Sequence, residues 1–265
     1  MEYKYLKIER RIHVATVSFN RPEKLNTLNI DLMSEIIRVT QEFNNDGETR
    51  VVIFTGAGNN FSGGVDLSDP ELMQRMSQGT MLMKSRFLKL GPKMIREIYE
   101  MSQITIAAVN GVAIGGGACI AAACDFRIGA NNCKIGYPEV NLGMNLSWKA
   151  LPMCVSLVGP ARAKRMIILA QKENAKTLIE WGFLDKVVPS KELIPAAKKM
   201  ADKFAAKPPM AAQMVKQSVN AIASALDQAI MHMDADQYQL TTGSKDFMEG
   251  VQAFFDKRAP EFIGD

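Results

Sequence analysis

A chain of 265 residues, 47% hydrophobic and 23% charged, has the composition of an ordinary globular protein with a sizeable core, which excludes a disordered or fibrous chain. Its net charge of +4 comes without a dense Lys/Arg block, which argues against nucleic-acid binding and suits a small phosphate-bearing molecule. No apolar run approaches the roughly 20 residues of a membrane span, and the charged start "MEYKYLKIERRIHV" has neither a signal-peptide nor a transit pattern.

In chain order, "RIHVATVSFN" alternates and predicts a first strand that includes His13, with Val14, Thr16 and Ser18 on one side and Ala15, Val17 and Phe19 on the other. "RPEKLNTL" breaks it, and Leu28, Leu32, Ile36, Val39 and Phe43 then recur at helical spacing. "VVIFTGAG" reads as a buried strand ended by glycines, and "FSGGVDLSD" as a glycine-bearing loop. A Met-rich, mostly helical stretch runs from Glu71 to Met101; Met73, Met76, Met81, Met83 and Met94 are either core or an adaptable pocket lining. "ITIAAVNGVAI" predicts a second buried strand, leading into "GGGACIAAACD" and a small-residue helix, and "DFRIGANNCKIGYPEV" is strand-like again. Helices alternate with one short strand up to "KPPM" at 207–210. Beyond it the pattern is helical, ending in a helix with Phe247, Val251, Phe254 and Arg258 on one face. This alternation predicts an α/β fold for the first two hundred residues.

The four cysteines, Cys119, Cys124, Cys133 and Cys154, form no C-x-x-C pair. That predicts reduced thiols in a cytoplasmic protein and no metal site. The glycines carry more information. A helix start exposes unpaired N–H groups with a partial positive charge, and glycine lets a ligand oxygen approach them. Two glycine loops, "FSGGVDL" and "IGGGA", follow two buried strands. N–H groups converging from both would make an oxyanion hole, each donor worth roughly 3–4 kcal/mol of transition-state stabilisation; close helix–strand packing is the bland alternative. Neither G-x-x-x-x-G-K-[ST] nor a Rossmann G-x-G-x-x-G is present. A carbonyl held in such a hole needs a base. His13 and His232 lie far from either loop in sequence, whereas Glu139 in "GYPEVNLG" sits in an apolar neighbourhood that would raise its pKa toward base strength. Asp125 and Asp66 read as structural, Asp66 fixing its own loop.

Together, "NRPEKLNTL", "FSGGVDL", "AAVNGVAIGGGACIAAACDFRI", "YPEVNLG" and "EGVQAFFDKRAPEF", in this order and over nearly the whole chain, resemble the crotonase family, the enoyl-CoA hydratase/isomerase superfamily. The resemblance implies a ββα spiral core over residues 1–207 that binds a CoA thioester, with no cofactor beyond the coenzyme A of the substrate. It also implies a C-terminal helical trimerisation region over 208–265, and a homo-oligomer, a trimer or a dimer of trimers. It places the oxyanion N–H groups at Val65 and Gly116, and lines the CoA path with Lys24, Leu25, Gly63, Gly64, Asp66 and Leu67, with Lys257 as a further CoA contact. Glu23 stands where hydratases of the family often carry a lysine.

The departure from the pattern is the more telling feature. Hydratases of the family carry two glutamates; the second aligns with Glu139, but the position of the first is Cys119. A thiol in an apolar patch replaces a carboxylate poorly, and bulky Trp148 falls where hydratases have a Pro/Gly-rich loop. The family's isomerases use one glutamate. The expectation is therefore Δ3,Δ2-enoyl-CoA isomerisation with Glu139 as the single proton shuttle. The alternatives are an enoyl-CoA hydratase, for a cyclic or dienoyl thioester among others, and a non-catalytic acyl-CoA-binding subunit.

Overall fold

A computed structural model describes residues 2–265, Gln228 by its backbone alone. An antiparallel pair, β1 (Leu6–Arg11) and β2 (Val14–Phe19), opens the chain. A short 3-10 turn at Pro22–Lys24 leads to α1 (Ile30–Asn44), which starts where the Asn29 side chain accepts the Leu32 N–H at 2.9 Å. Next come β3 (Val51–Gly56), then α2 (Pro70–Ser77), α3 (Met81–Phe87) and α4 (Leu90–Tyr99). β4 (Ile104–Val109), β5 (Val112–Ile114) and α5 (Gly116–Ala123) precede β6 (Phe126–Ala130) and β7 (Lys134–Gly136). After a 3-10 turn at Glu139–Leu142 the chain forms α6 (Ala150–Val158), α7 (Pro160–Ile168), β8 (Glu173–Asn174), α8 (Ala175–Trp181), β9 (Lys186–Val188) and α9 (Leu193–Ala205). It ends in α10 (Pro209–Ala223), α11 (Gln228–Met231), α12 (Asp234–Thr242) and α13 (Lys245–Asp256).

The main sheet runs β1-β2-β3-β4-β6-β9, and every pair after the first is parallel. Parallel strands need crossovers, which put helices on both faces. On one face Ala15, Val17, Phe19, Val52 and Phe54 pack into the larger core under α1 and α4. On the other Val14, Val51, Ile53, Ile104 and Ile106 meet Leu193, Ala197, Ala201 and Ala205 of α9. The α/β architecture expected from the alternation is the one observed.

Several local expectations need correction. In β2 the polar Thr16 is buried along with Ala15 and Val17, because α9 covers the second face. His13 lies in the turn between β1 and β2 with φ +60°, not in a strand. "ITIAAVNGVAI" is two strands in two sheets, since the Asn110 side chain bonds back to Thr55, Gly56 and Gly58 and turns the chain there. β5 then pairs with β7 and β8 in a small separate sheet. Arg258 lies beyond the end of α13, whose buried positions are the small Gly250 and Ala253. They are small because α13 presses on the 3-10 turn at Glu139: a Cβ at Gly250 would lie 2.7 Å from the Leu142 carbonyl carbon.

Candidate active site

One glycine-rich segment follows β3 and the other follows β4 by way of β5, both beyond the C-terminal ends of parallel strands, the place where open α/β sheets form binding crevices. After β3, Leu28 and Val65 form an isolated bridge, with Leu28 N–H donating to Gly64 at 2.7 Å and Asp66 N–H to Leu28 at 3.0 Å. Those bonds fix the peptide between them and leave the Val65 N–H with no acceptor among the described residues. After β5, Gly116 opens α5, so its N–H is one of the orphan donors of a helix start. The two segments touch. Gly64 has φ +87°, and a Cβ there would sit 2.7 Å from the Ile114 carbonyl oxygen and 3.6 Å from the Gly116 nitrogen.

The loop after β3 is anchored by Arg21 and Asp66, both buried. Their ion pair is 2.9 Å long, and Arg21 also donates to the Thr27 carbonyl at 2.6 Å. Burial pushes the Asp66 carboxyl up, but hydrogen bonds from Ser68 and Arg21 outweigh it and hold the group below the usual carboxylate range. Asp66 thus stays ionised, tied to Arg21 and to Ser68 of its own loop. Asp125 is structural too: it accepts from Thr105 N–H and hydroxyl, and pairs with buried Lys216 of α10 at 2.7 Å.

Glu139 begins the 3-10 turn after β7. Its Oε1 rests against Gly115, where a Cβ would lie 2.8 Å away, and Gly115 takes φ +51°, ψ −119°, a conformation for glycine. The first glycine of the triplet is therefore the berth of the carboxyl, and the second is the free donor. Glu139 Oε2 is shut off from solvent and has no hydrogen-bond partner among the described residues. Burial pushes the carboxyl up to about 7, only partly offset by its own backbone N–H. At Cys119, one turn into α5, burial first and the nearby Glu139 and Asp234 next push the thiol well above its ordinary range, so it stays protonated.

These groups line one cavity of about 530 Å³. The structure brings Leu25, Gly63, Gly64, Val65, Asp66, Leu67, Gly116, Cys119 and Glu139 to its wall; Lys24 and Lys257 lie outside the lining, both exposed. Of the methionines, Met76 lines the cavity, Met94 is core, and Met73, Met81 and Met83 are exposed. Sequence reasoning missed Asp234 and Tyr238 of α12, which enter the cavity from the C-terminal helices. Burial, reinforced by Glu139, pushes the Tyr238 phenol up to about 12. Asp234 is raised by burial against hydrogen bonds from the Lys149 and Trp148 backbones. No helix is long and apolar enough to cross a membrane, and no cluster of His, Cys, Asp and Glu fit for a metal occurs, among the described residues.

Backbone N–H groups and a carboxyl raised to about 7 on the wall of one cavity are groups able to stabilise an enolate and move a proton. A family model described as Enoyl-CoA hydratase/isomerase matches residues 9–265. The chain is 36% identical over 266 residues to a crotonyl-CoA hydratase of Syntrophomonas wolfei subsp. wolfei, covering 99% of each. It is 29% identical to a 1,2-epoxyphenylacetyl-CoA isomerase of Escherichia coli, covering 95% of each. A crystal structure of an enoyl-CoA hydratase from Mycobacterium avium subsp. paratuberculosis superposes with a TM-score of 0.87 at 25% identity, over 99% of this chain and 100% of that one. The chain belongs to the enoyl-CoA hydratase/isomerase family, the crotonase superfamily, and is an enzyme of that family.

Proposed function

We propose that the enzyme shifts a double bond in an enoyl-CoA, converting a 3-enoyl thioester to its conjugated 2-enoyl isomer. One observation carries this reading: a single partnerless carboxyl, raised to about 7, lies beside the first turn of α5 while the neighbouring acid position holds a protonated thiol. The thioester oxygen accepts the N–H groups of Val65 and Gly116. Glu139 removes a proton at C2, the dienolate is held by those two donors, and the resulting carboxylic acid returns the proton at C4. Nothing is gained or lost overall, so one group suffices. Of the other acids on the cavity wall, Asp66 is tied to Arg21 and Ser68 and Asp234 to the backbone of 148–149. Leu25, Gly63, Gly64 and Leu67 form the near wall of the CoA path, with Lys24 and Lys257 as outer contacts to the CoA. Four free, buried cysteines suit a cytoplasmic enzyme.

Hydration is the second reading, favoured by the name of the Syntrophomonas relative. A panel of 3-enoyl-CoA and 2-enoyl-CoA substrates separates the two, because isomerisation creates the conjugated absorbance and hydration destroys it. The expected result is growth of absorbance from 3-enoyl-CoA with little loss from 2-enoyl-CoA; rapid loss from 2-enoyl-CoA would reverse the assignment.

Residues 1–207 would then be the catalytic core and 208–265 a helical assembly region. Support comes from α10, where Met210, Met214, Val215, Val219 and Ile222 are exposed along a helix whose Lys216 and Asn220 bond to the core. Light scattering is expected to give a mass of three chains or a multiple of three; a monomer at micromolar concentration would dismiss the assembly.

A further inference from the structure

We propose that Trp148 sets the acyl specificity of the cavity, its indole forming a rigid inner wall that admits short acyl groups and refuses long ones. The proposal rests on the thioester reading above and names what that site selects.

The indole bridges two helices. Its Cε2, Nε1 and Cζ2 occupy the space where a Cβ on Gly91 of α4 would lie, and its Cζ3 and Cη2 come within 2.5 and 3.1 Å of a Cβ position on Gly116 of α5. Two side chains are missing and one large ring fills their place, closing the gap between α4 and α5 on the wall of the cavity. Gly116 also carries one of the two free N–H groups. An acyl group whose carbonyl oxygen is held at that nitrogen meets the ring within a few bonds.

The wall is held in place at a conformational cost. Trp148 and Lys149 have φ +64° and +60°, two consecutive left-handed residues that are not glycine, an arrangement that persists only where the surroundings enforce it. The enforcement comes from one face of α12. Asp234 accepts the Lys149 N–H at 3.3 Å, Gln237 accepts the Asn145 side-chain amide at 2.9 Å, and Thr241 accepts the Asn145 N–H at 3.1 Å. Other walls, such as Met76 and Met144, are flexible thioethers that repack around different shapes. A locked indole does not, so it sets the limit.

The test is calorimetric binding of butyryl-CoA and decanoyl-CoA to the full-length enzyme and to Trp148→Phe and Trp148→Ala, with folding checked by circular dichroism. The wild type is expected to favour butyryl-CoA. Trp148→Ala should shift the ratio toward decanoyl-CoA by about tenfold or more, since each buried methylene contributes a severalfold change in affinity, with Trp148→Phe in between. A wild type that binds both equally, or an unchanged ratio in folded variants, overturns the proposal. If Trp148→Ala does not fold, Trp148→Phe and Trp148→Leu decide by the same ratio. Failure of every protein to bind either thioester would instead overturn the CoA reading itself, a result distinct from a flat length profile.

Discussion

Glu139→Gln is expected to lower kcat for 3-enoyl-CoA isomerisation by about a thousandfold, within the range that removal of a general acid–base group produces, while acyl-CoA binding persists. The glutamine keeps the shape and loses the proton shuttle. In the wild type the base must be ionised, so kcat/KM should rise with pH through about 7 and level off above it. Stability runs the other way. The folded pKa lies above the ordinary 4.5 of an unfolded glutamate, so the folded state binds the proton more tightly and stability falls as pH rises from about 4.5 to about 7. At 1.36 kcal/mol per pH unit the penalty above that window is about 3 kcal/mol, and Glu139→Gln removes it. The variant should therefore melt higher than the wild type at pH 8 while being nearly inactive. Near-normal turnover, or an unchanged melting temperature, would refute the placement of the base.

Gly64→Ala should strike the other half of the site. At φ +87° any side chain is strained by roughly 1–2 kcal/mol, and the new Cβ would sit 2.7 Å from the backbone oxygen of Ile114. Relief comes from moving the 63–66 segment, which carries the Val65 N–H away from Gly116. Loss of one aligned donor lowers kcat about a hundredfold, with a smaller effect on the affinity for a saturated acyl-CoA. Steady-state kinetics beside a thermal melt would check both parts. A folded variant with kcat within about threefold of wild type would show that Val65 does not bind the developing charge.

Much of this architecture was legible in the chain. Continuous apolar runs marked β3 and β4 because both faces of a parallel sheet are covered, and the glycines after them marked the crevice. Glu139 stood out because it is an acid in apolar surroundings, and the structure shows those surroundings raising its pKa. Other features left no local trace. β8 is two residues long, and its pairing with β7 involves only Lys134 with Asn174 and Ile135 with Glu173. The division of roles within the triplet, Gly115 for the carboxyl and Gly116 for the donor, depends on a side chain that arrives from the Glu139 turn. Asp234 was invisible because α12, "DADQYQLTT", has no apolar stripe to announce packing. The residues that α12 bonds, Asn145 and Lys149, lie some ninety positions earlier, and nothing in either stretch signals the other. Arg21 and Asp66 are 45 positions apart, and only the fold shows them as a buried pair.

The clamp that α12 and α13 place on the 139–149 segment has a consequence during synthesis. A chain still on the ribosome exposes Glu139, both glycine loops and Trp148 once the first half of the message and a little more has been read. At roughly 5–20 residues per second, several seconds pass before Asp234, Gln237, Thr241 and Gly250 exist to close over them. Until then the Trp148–Lys149 turn has none of its enforcing bonds and is free to relax out of its left-handed geometry. A message cut short before α12 thus yields a chain that holds Glu139, both glycine loops and Trp148 but lacks the side chains of α12 that bond the 145–149 segment.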